Sequence, residues 1–329
     1  MKKRVLITGA SGFVGYHLIA AALASDLEVY AAVRRSSNIA HLKEFDLQYS
    51  YLDFNDIASL KKDIEEKKYN YIIHASGITK AKTEREYNSV NAGHTENLAL
   101  AAVTADFRPE KFVFVSSLAA IGPLTDLSQV IEDGARGRPV TSYGASKLLA
   151  EQTLDKVKGL PLITIRPTAV YGPREKDIFI LLQTINRGLE PHIGKFKQQL
   201  SFIYVRDLAE IIVKALFSPE VNKKYNISDG QVYDRYALAD AVKAAMHKKT
   251  IKFHLPVFLV SALAAFMERI YKNAAVAPAL NKEKMNELTA VNWACNISGA
   301  REELGFQPAY DLKDGLVETI AWYKKNKWL

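Results

Sequence analysis

The 329-residue sequence predicts an α/β protein: a doubly wound parallel sheet with a smaller, mostly helical C-terminal part. Two observations carry this expectation. In the first half, short β-branched runs alternate with longer segments of helical spacing, the pattern of a parallel sheet covered on both faces. A glycine-rich stretch, Thr8-Gly9-Ala10-Ser11-Gly12-Phe13-Val14-Gly15, also stands between the first such run and the first helical segment. That is where a Rossmann-type fold binds a dinucleotide.

The elements follow in order. RVLIT (4–8) reads as a strand and 12–25 as the helix after it. EVYAAV (28–33) and LQYSYLD (47–53) are further strands, followed by an amphipathic helix over 56–66. YNYIIHAS (69–76), a helix over about 84–105, and KFVFVSS (111–117) continue the alternation. A helix containing Tyr143 then leads into PLITIRP (161–167). Beyond Pro167 the rhythm breaks. Helices are expected near 177–187, 207–217, 235–247, 256–272, 298–304 and 312–326, with strands at 201–205 and 225–228. The expected plan is a dinucleotide-binding domain over 1–173, joined by returning segments at about 201–228. The mainly substrate-binding domain then takes 174–200 and 229–329.

Composition narrows the class. Apolar residues make up 48% and charged residues 24%, as in a globular chain. The net charge is +8, but the basic residues are scattered without aromatic interleaving, which argues against nucleic acid and suits an anionic small molecule. One cysteine, Cys295, excludes an internal disulfide and points to the reducing cytoplasm. The apolar run at the start stops at Thr8, too short for an export signal. LPVFLVSALAAFM (255–267) is too short to span a bilayer and reads as a buried or lid helix rather than a membrane-surface one.

Within the glycine loop, Gly9 would allow the turn off the strand. Gly12 would admit a pyrophosphate close to the backbone, and Gly15 would let helix and strand pack. Ser11, Phe13 and Val14 complete the loop expected to face the cofactor. The second strand ends in Arg34-Arg35-Ser36-Ser37 rather than an acidic residue, so NADP(H) is preferred, with NAD(H) possible. Asp53 is placed either to meet the adenine edge or to cap the helix beginning near Asp56.

Tyr143 and Lys147, four residues apart, share one helix face. A nearby ammonium would lower the phenol's pKa and fit Tyr143 for proton exchange with a substrate oxygen. Val115-Ser116-Ser117 ends a parallel strand at the ligand-binding edge, where Ser117 could donate to the same oxygen.

TGASGFVG, HASG (74–77), VSS (115–117), YGASK (143–147), RPTAVYGP (166–173), FIYVRDLAEII (202–212) and ISGAREELGFQP (297–308) together resemble the extended short-chain dehydrogenase/reductases, the epimerase/dehydratase group. The resemblance spans essentially the whole chain. It implies Tyr143 as acid/base, Lys147 as ligand of the nicotinamide ribose, and Ser117 as orienter of the substrate oxygen. It further implies Ala75, Ser76, Gly77, Asn91 and Ser116 beside the cofactor, with Pro167, Thr168 and Val170 bordering the nicotinamide. Homodimerisation through helices near 91–105 and 142–157 is also implied, with Ala145, Leu148, Leu149 and Ala150 as a packing face. The C-terminal pattern looks closest to the dihydroflavonol reductase and 3β-hydroxysteroid dehydrogenase-like branch.

Departures from the family pattern matter. Ser117 is followed by Leu118-Ala119-Ala120 rather than an acidic pair, which argues against sugar dehydration. Gln198-Gln199-Leu200-Ser201 stands where nucleotide-sugar epimerases carry a diphosphate-holding arginine. Arg166 reads as structural, and Arg174 is a further candidate anion holder. His74 lies in a buried strand with no metal-ligand spacing, and Cys295 reads as packing. The leading reading is an NAD(P)-dependent oxidoreductase acting at a secondary alcohol or carbonyl of a small molecule. A nucleotide-sugar epimerase retaining its NAD comes next, and a non-catalytic NADP(H) sensor third.

Overall fold

In the computed structural model, which describes residues 2–271 and 280–329, β1 (Arg4–Thr8) lies inside a seven-stranded sheet, next to its central strand. The other strands are β2 (Glu28–Ala32), β3 (Gln48–Ser50), β4 (Tyr71–His74), β5 (Lys111–Val115), β6 (Leu162–Pro167) and β10 (Lys223–Ile227). Their order is β3-β2-β1-β4-β5-β6-β10, and every pairing is parallel. The chain reverses direction across the sheet between β1 and β4, which places the binding crevice at the C-terminal ends of those strands.

Period-2 alternation distributes side chains between two cores. Val5 and Ile7, Val113 and Val115, and Ile163 and Ile165 face one side. There they meet Leu18 and Ile19 of α1 (Phe13–Ala24) and Leu208 and Ile212 of α7 (Val205–Ala215). Leu304 of α11 (Ser298–Leu304) closes that layer. Leu6, Phe112, Phe114 and Leu162 face the other side. They pack on α2 (Ile57–Lys67), α4 (His94–Thr104) and α5 (Ser142–Leu154). Ala150 is fully buried in this second core, so it cannot belong to a subunit-packing face; of the four residues expected there only Leu149 is well exposed.

A third core lies outside the main sheet. Tyr171 of β7 (Ala169–Tyr171) and Phe202 and Tyr204 of β9 (Phe202–Tyr204) pack against three helices. These are α6 (Asp177–Asn186), α8 (Ala237–Met246) and α12 (Leu312–Lys325). β8 (Leu189–Ile193) and β11 (Ile251–Leu255) form a separate parallel pair whose Glu190 is buried among His192, Lys243 and Thr250.

The helix expected over 84–105 is three pieces: α3 (Glu84–Tyr87), one π-helical turn (Asn88–Gly93) and α4. Asp56, not Asp53, caps α2, by accepting the Ser59 N–H at 3.1 Å. A further correction concerns α9 (Val257–Ile270), expected to be a buried or lid helix: the buried alternative does not hold. Val260 and Ala264 are buried, beside Met285 of α10 (Lys282–Leu288), but Phe258, Leu259, Leu263 and Phe266 are 52–70% exposed. Among the described residues no helix is long and apolar enough to cross a membrane.

Candidate active site

β1 delivers the chain into the glycine loop through a left-handed residue. Gly9 has φ +69°, and a Cβ there would stand 2.6 Å from the Ala75 carbonyl oxygen. A Cβ on Gly15 would collide with the Gly9 carbonyl, so helix α1 can approach the strand this closely only with glycine. Gly12 donates its N–H to Gly9 O at 3.0 Å and is the N-cap of α1 without a side-chain bond of its own. The first N–H groups of α1, at Phe13 and Val14 beyond Ser11 and Gly12, therefore form an anion-binding helix start.

Beneath the loop runs a buried polar chain that fixes one histidine tautomer. Thr95 Oγ1 donates to Asn91 O at 2.7 Å, so it accepts from His74 Nε2–H at 2.9 Å. His74 Nδ1 then accepts from Thr8 Oγ1 at 2.8 Å, and Thr8 Oγ1 accepts the Ser76 N–H at 3.1 Å. Burial pushes His74 down to about 3, which keeps it neutral and structural. The chain ties Ala75-Ser76-Gly77 to the glycine loop.

Asn91 sits in the π turn, fully buried. It accepts the Ile78 N–H at 2.8 Å and donates to Ile78 O at 3.0 Å and to Ser146 Oγ at 2.9 Å. A Cβ on Gly77 would lie 2.9 Å from Asn91 Oδ1 and 3.4 Å from Lys147 Nζ. Gly77, Asn91 and Lys147 thus border one small space. The widened turn re-aims Asn91 without ending the helix, as such turns do near functional sites.

Ser117 follows β5 and starts a 3-10 turn (Leu118–Ala120), accepting the Ala119 N–H at 3.2 Å. Thr141 caps α5 through Gly144 N at 3.1 Å, and a Cβ on Gly144 would strike Ala119 O. That close approach brings Tyr143 beside Ser117. Burial pushes the Tyr143 phenol up to about 12, while the Ser117 hydroxyl pulls it the other way by less; Glu287 and Tyr87 add to the rise. The lowering expected from Lys147 is therefore overruled by desolvation. At neutral pH the Tyr143 phenol is therefore protonated. Lys147 is itself buried, donates to Val115 O at 2.9 Å and lies over the Phe114 ring. Desolvation pushes Lys147 down to about 8, opposed by Glu151.

Two features escaped sequence reading. Glu151, one turn beyond Lys147, is fully buried and accepts from Arg166 at 2.6–3.2 Å and from Ser116 Oγ at 2.6 Å. Its i,i+4 spacing to Lys147 was the available signal. The Ser116 hydroxyl is thus committed to a buried carboxylate, to which Arg166 is also paired. The second is α10, whose Glu283 accepts the Ser142 N–H at 3.0 Å while Asn286 Nδ2 donates to Val140 O at 3.2 Å. Both carboxylates of α10, Glu283 and Glu287, therefore stand at the start of the Tyr143 helix.

The remaining candidates scatter. Arg34 is exposed at the end of β2, and Arg35 stacks on Tyr51 at 4.9 Å. Asp53 is exposed and accepts from Asn55 N at 2.9 Å. Pro167 ends β6, Thr168 Oγ1 donates to Ser201 O at 2.7 Å, and Val170 packs on the first core. Arg174 is not a free anion holder: it lies over Tyr16 at 4.0 Å and Trp322 at 5.3 Å, with Glu44 at 3.7 Å. Cys295 is packed, its thiol pushed up to about 11 by burial.

The glycine cradle and the gap at Gly77 fit a dinucleotide. The chain is 27% identical to a UDP-glucose 4-epimerase of Vibrio cholerae, over 97% of this chain and 95% of that one. It is 26% identical to a ceramide reductase of Caulobacter vibrioides, over 99% and 96%. Its fold is similar to that of the UDP-glucose 4-epimerase of Thermotoga maritima solved with UDP-glucose. The TM-score there is 0.79 at 17% identity, covering 98% of this chain and 99% of that one. The profile of the NAD dependent epimerase/dehydratase family matches residues 5–228. The chain therefore belongs to that family and is an enzyme of its NAD(P)-dependent oxidoreductase and epimerase type.

Proposed function

We propose that the protein reduces a carbonyl on a neutral, hydrophobic small molecule, with NADPH as the preferred hydride source. The observation that carries this reading is the position of Glu283 and Glu287 at the N-terminus of α5, next to Tyr143 and Tyr87. Two carboxylates there would repel a diphosphate and tolerate an uncharged molecule. Gln198, at the place of the diphosphate-holding arginine, instead donates to Leu288 O and Ala290 O at 3.0 and 2.7 Å and anchors the chain leaving α10. The family relationship to a ceramide reductase, and the resemblance to the dihydroflavonol reductase and 3β-hydroxysteroid dehydrogenase-like branch, agree with such a substrate.

A nicotinamide held at this site would supply the hydride. Tyr143 gives its phenolic proton to the carbonyl oxygen as the carbon is reduced, so one hydride and one proton make the alcohol. Its raised pKa suits it to this direction, because the phenol arrives protonated. Ser117 donates a hydrogen bond to the same oxygen and polarises it. Lys147, next to Gly77 and Asn91, would hold the nicotinamide ribose. Arg34 and Arg35, at the end of β2, support NADP(H) through the 2′-phosphate.

A second reading, nucleotide-sugar epimerisation, is favoured by the relationship to a UDP-glucose 4-epimerase. The two separate on cofactor handling. An epimerase regenerates its cofactor and can retain it, whereas a reductase exchanges it at each turnover. NADPH oxidation driven by hydrophobic ketones, with no NAD released on denaturation, is the expected result. Stoichiometric retained NAD with UDP-sugar turnover would reverse the assignment.

A further inference from the structure

The exposed face of α9 has no role in the chemistry of Tyr143. On a helical projection, Phe258, Leu259, Leu263, Phe266 and Ile270 fall within an arc of about 140°. They are 70%, 52%, 52%, 60% and 57% exposed. The opposite side carries Val260 and Ala264, which bury against Met285 with Ile193 and Leu280 packed alongside. So α9 is already seated, and what it presents outward is a row of large apolar side chains on a 14-residue helix. Single exposed hydrophobics are ordinary, but a contiguous stripe is an interaction surface.

We infer that α9 docks the protein on an anionic lipid surface, lying in the interface with Phe258, Leu259, Leu263, Phe266 and Ile270 inserted. Charge complementarity chooses this occupant. Between positions 248 and 271 the chain has Lys248, Lys249 and Arg269, with Lys252 already 3.6 Å from Glu190 and over the Tyr236 ring at 3.5 Å, against one acid, Glu268. Glu268 is taken up by the Lys282 N–H at 2.8 Å. Lys195 is exposed beside the helix start, where Gly194 N–H bonds Leu255 O at 2.8 Å. Exposed Phe and Leu on one face, with the exposed Arg269 among them and further basic residues in the preceding segment, on a helix too short to span, is the pattern of an interfacial helix. A second copy of the same face would bring like charges together.

The proposal stands on α9 itself and goes beyond the reading of the catalytic residues. What it adds is a route: α9 packs on α10, and α10 holds the N-terminus of the Tyr143 helix. A substrate dissolved in the bilayer would then enter one helix away from Tyr143.

The test uses the full chain and flotation with vesicles of equal parts phosphatidylglycerol and phosphatidylcholine, or of phosphatidylcholine alone. The wild type should float with the anionic vesicles, and less at raised salt. Leu263→Ser with Phe266→Ser should reduce the bound fraction about tenfold or more while leaving cofactor affinity unchanged, and Lys248→Glu with Lys249→Glu should also reduce it. Equal binding to both vesicle types, or equal binding by wild type and the Ser variant, would overturn the proposal. So would a wild-type dimer that the Ser variant converts to monomer, since the face would then join two copies. Turnover of a water-soluble short-chain ketone without vesicles tests the reductase reading separately. A protein that reduces it but does not float fails only here, and one that floats but does not reduce it fails only there.

Discussion

Glu283 accepts two hydrogen bonds from Ser142, one from its backbone N–H at 3.0 Å and one from its hydroxyl. Ser142 is the first residue of the helix that carries Tyr143, so a carboxylate 141 positions away in sequence completes that helix start. A negative group is favoured there by the unpaired N–H groups and the helix dipole. Glu283→Ala should cost on the order of 1–2 kcal/mol of stability and loosen α10 over the substrate side. The expected kinetic signature is a raised KM for the carbonyl compound with cofactor Kd unchanged. Equal weakening of both would place the Glu283 contact in the cofactor site instead.

Tyr143→Phe removes the proton donor and keeps the ring that meets Tyr87 edge-on at 6.4 Å. Turnover should fall by about 10²–10⁴ with cofactor affinity retained, measured by stopped-flow reduction and by fluorescence titration of NADPH. Ser117→Ala should lower kcat less than Tyr143→Phe does. Full activity in the phenylalanine variant would remove Tyr143 from the chemistry.

The sheet was legible because each central strand carries a continuous apolar run, as in Val5-Leu6-Ile7 and Phe112-Val113-Phe114, the pattern of strands buried on both faces. α10 was not, because its sequence, KEKMNEL, has little apolar periodicity. Its order comes from the Asn281 cap and from partners such as Ser142 and Val140 far along the chain. β8 and β11 were missed for a similar reason: Glu190 and Lys252 break the apolar pattern there, and only the folded chain brings Lys243, His192 and Thr250 around the carboxylate. For α9 the apolar pattern was visible, but periodicity does not say what covers a face. At the site, the residue types and spacing of Ser117, Tyr143 and Lys147 could be read. The direction of the Tyr143 shift could not, because desolvation depends on packing that only the folded chain supplies.

Arg34 is exposed just beyond the second strand, while Arg35 stacks on Tyr51 at 4.9 Å, so the NADPH reading puts the 2′-phosphate at Arg34 first. Arg34→Ala should weaken NADPH binding by about tenfold, the loss of a charge-assisted contact of roughly 1.5 kcal/mol, and leave NADH binding little changed. Isothermal titration with both cofactors measures this. Parallel loss for the two would mean the arginine does not read the 2′ position.

His74 makes stability depend on acid. Its folded value is pushed down to about 3 by burial, with Lys147 and His94 adding, against an ordinary 6.5. Above 6.5 the imidazole is neutral in both states and the full stability is present. Between 6.5 and 3 the unfolded chain binds a proton that the folded chain refuses, so stability falls as pH falls. His17, pushed down to about 4 by burial, acts with the same sign. Urea unfolding at pH 7 and pH 5 should show the loss, and His74→Gln should show a shallower pH dependence even though its absolute stability is lower. An unchanged slope in the variant would assign the effect elsewhere.

Lys147 works at the other end of the scale. Desolvation pushes it down to about 8 from 10.5, so the folded protein at pH 7 holds a buried ammonium at a cost. Between 8 and 10.5 the unfolded chain binds the proton and the folded chain does not, so this residue makes stability rise with pH across that window. Lys147→Met should therefore stabilise the protein at pH 7, on the order of 1 kcal/mol after loss of the Val115 O contact. The same variant should lose cofactor affinity, because the methionine cannot donate to the ribose. In the wild type that affinity should decline as pH rises through about 8, where the ammonium deprotonates, and the decline should vanish in Lys147→Met. A cofactor Kd that is flat from pH 7 to pH 9 in the wild type would show that the charge on Lys147 does not hold the cofactor.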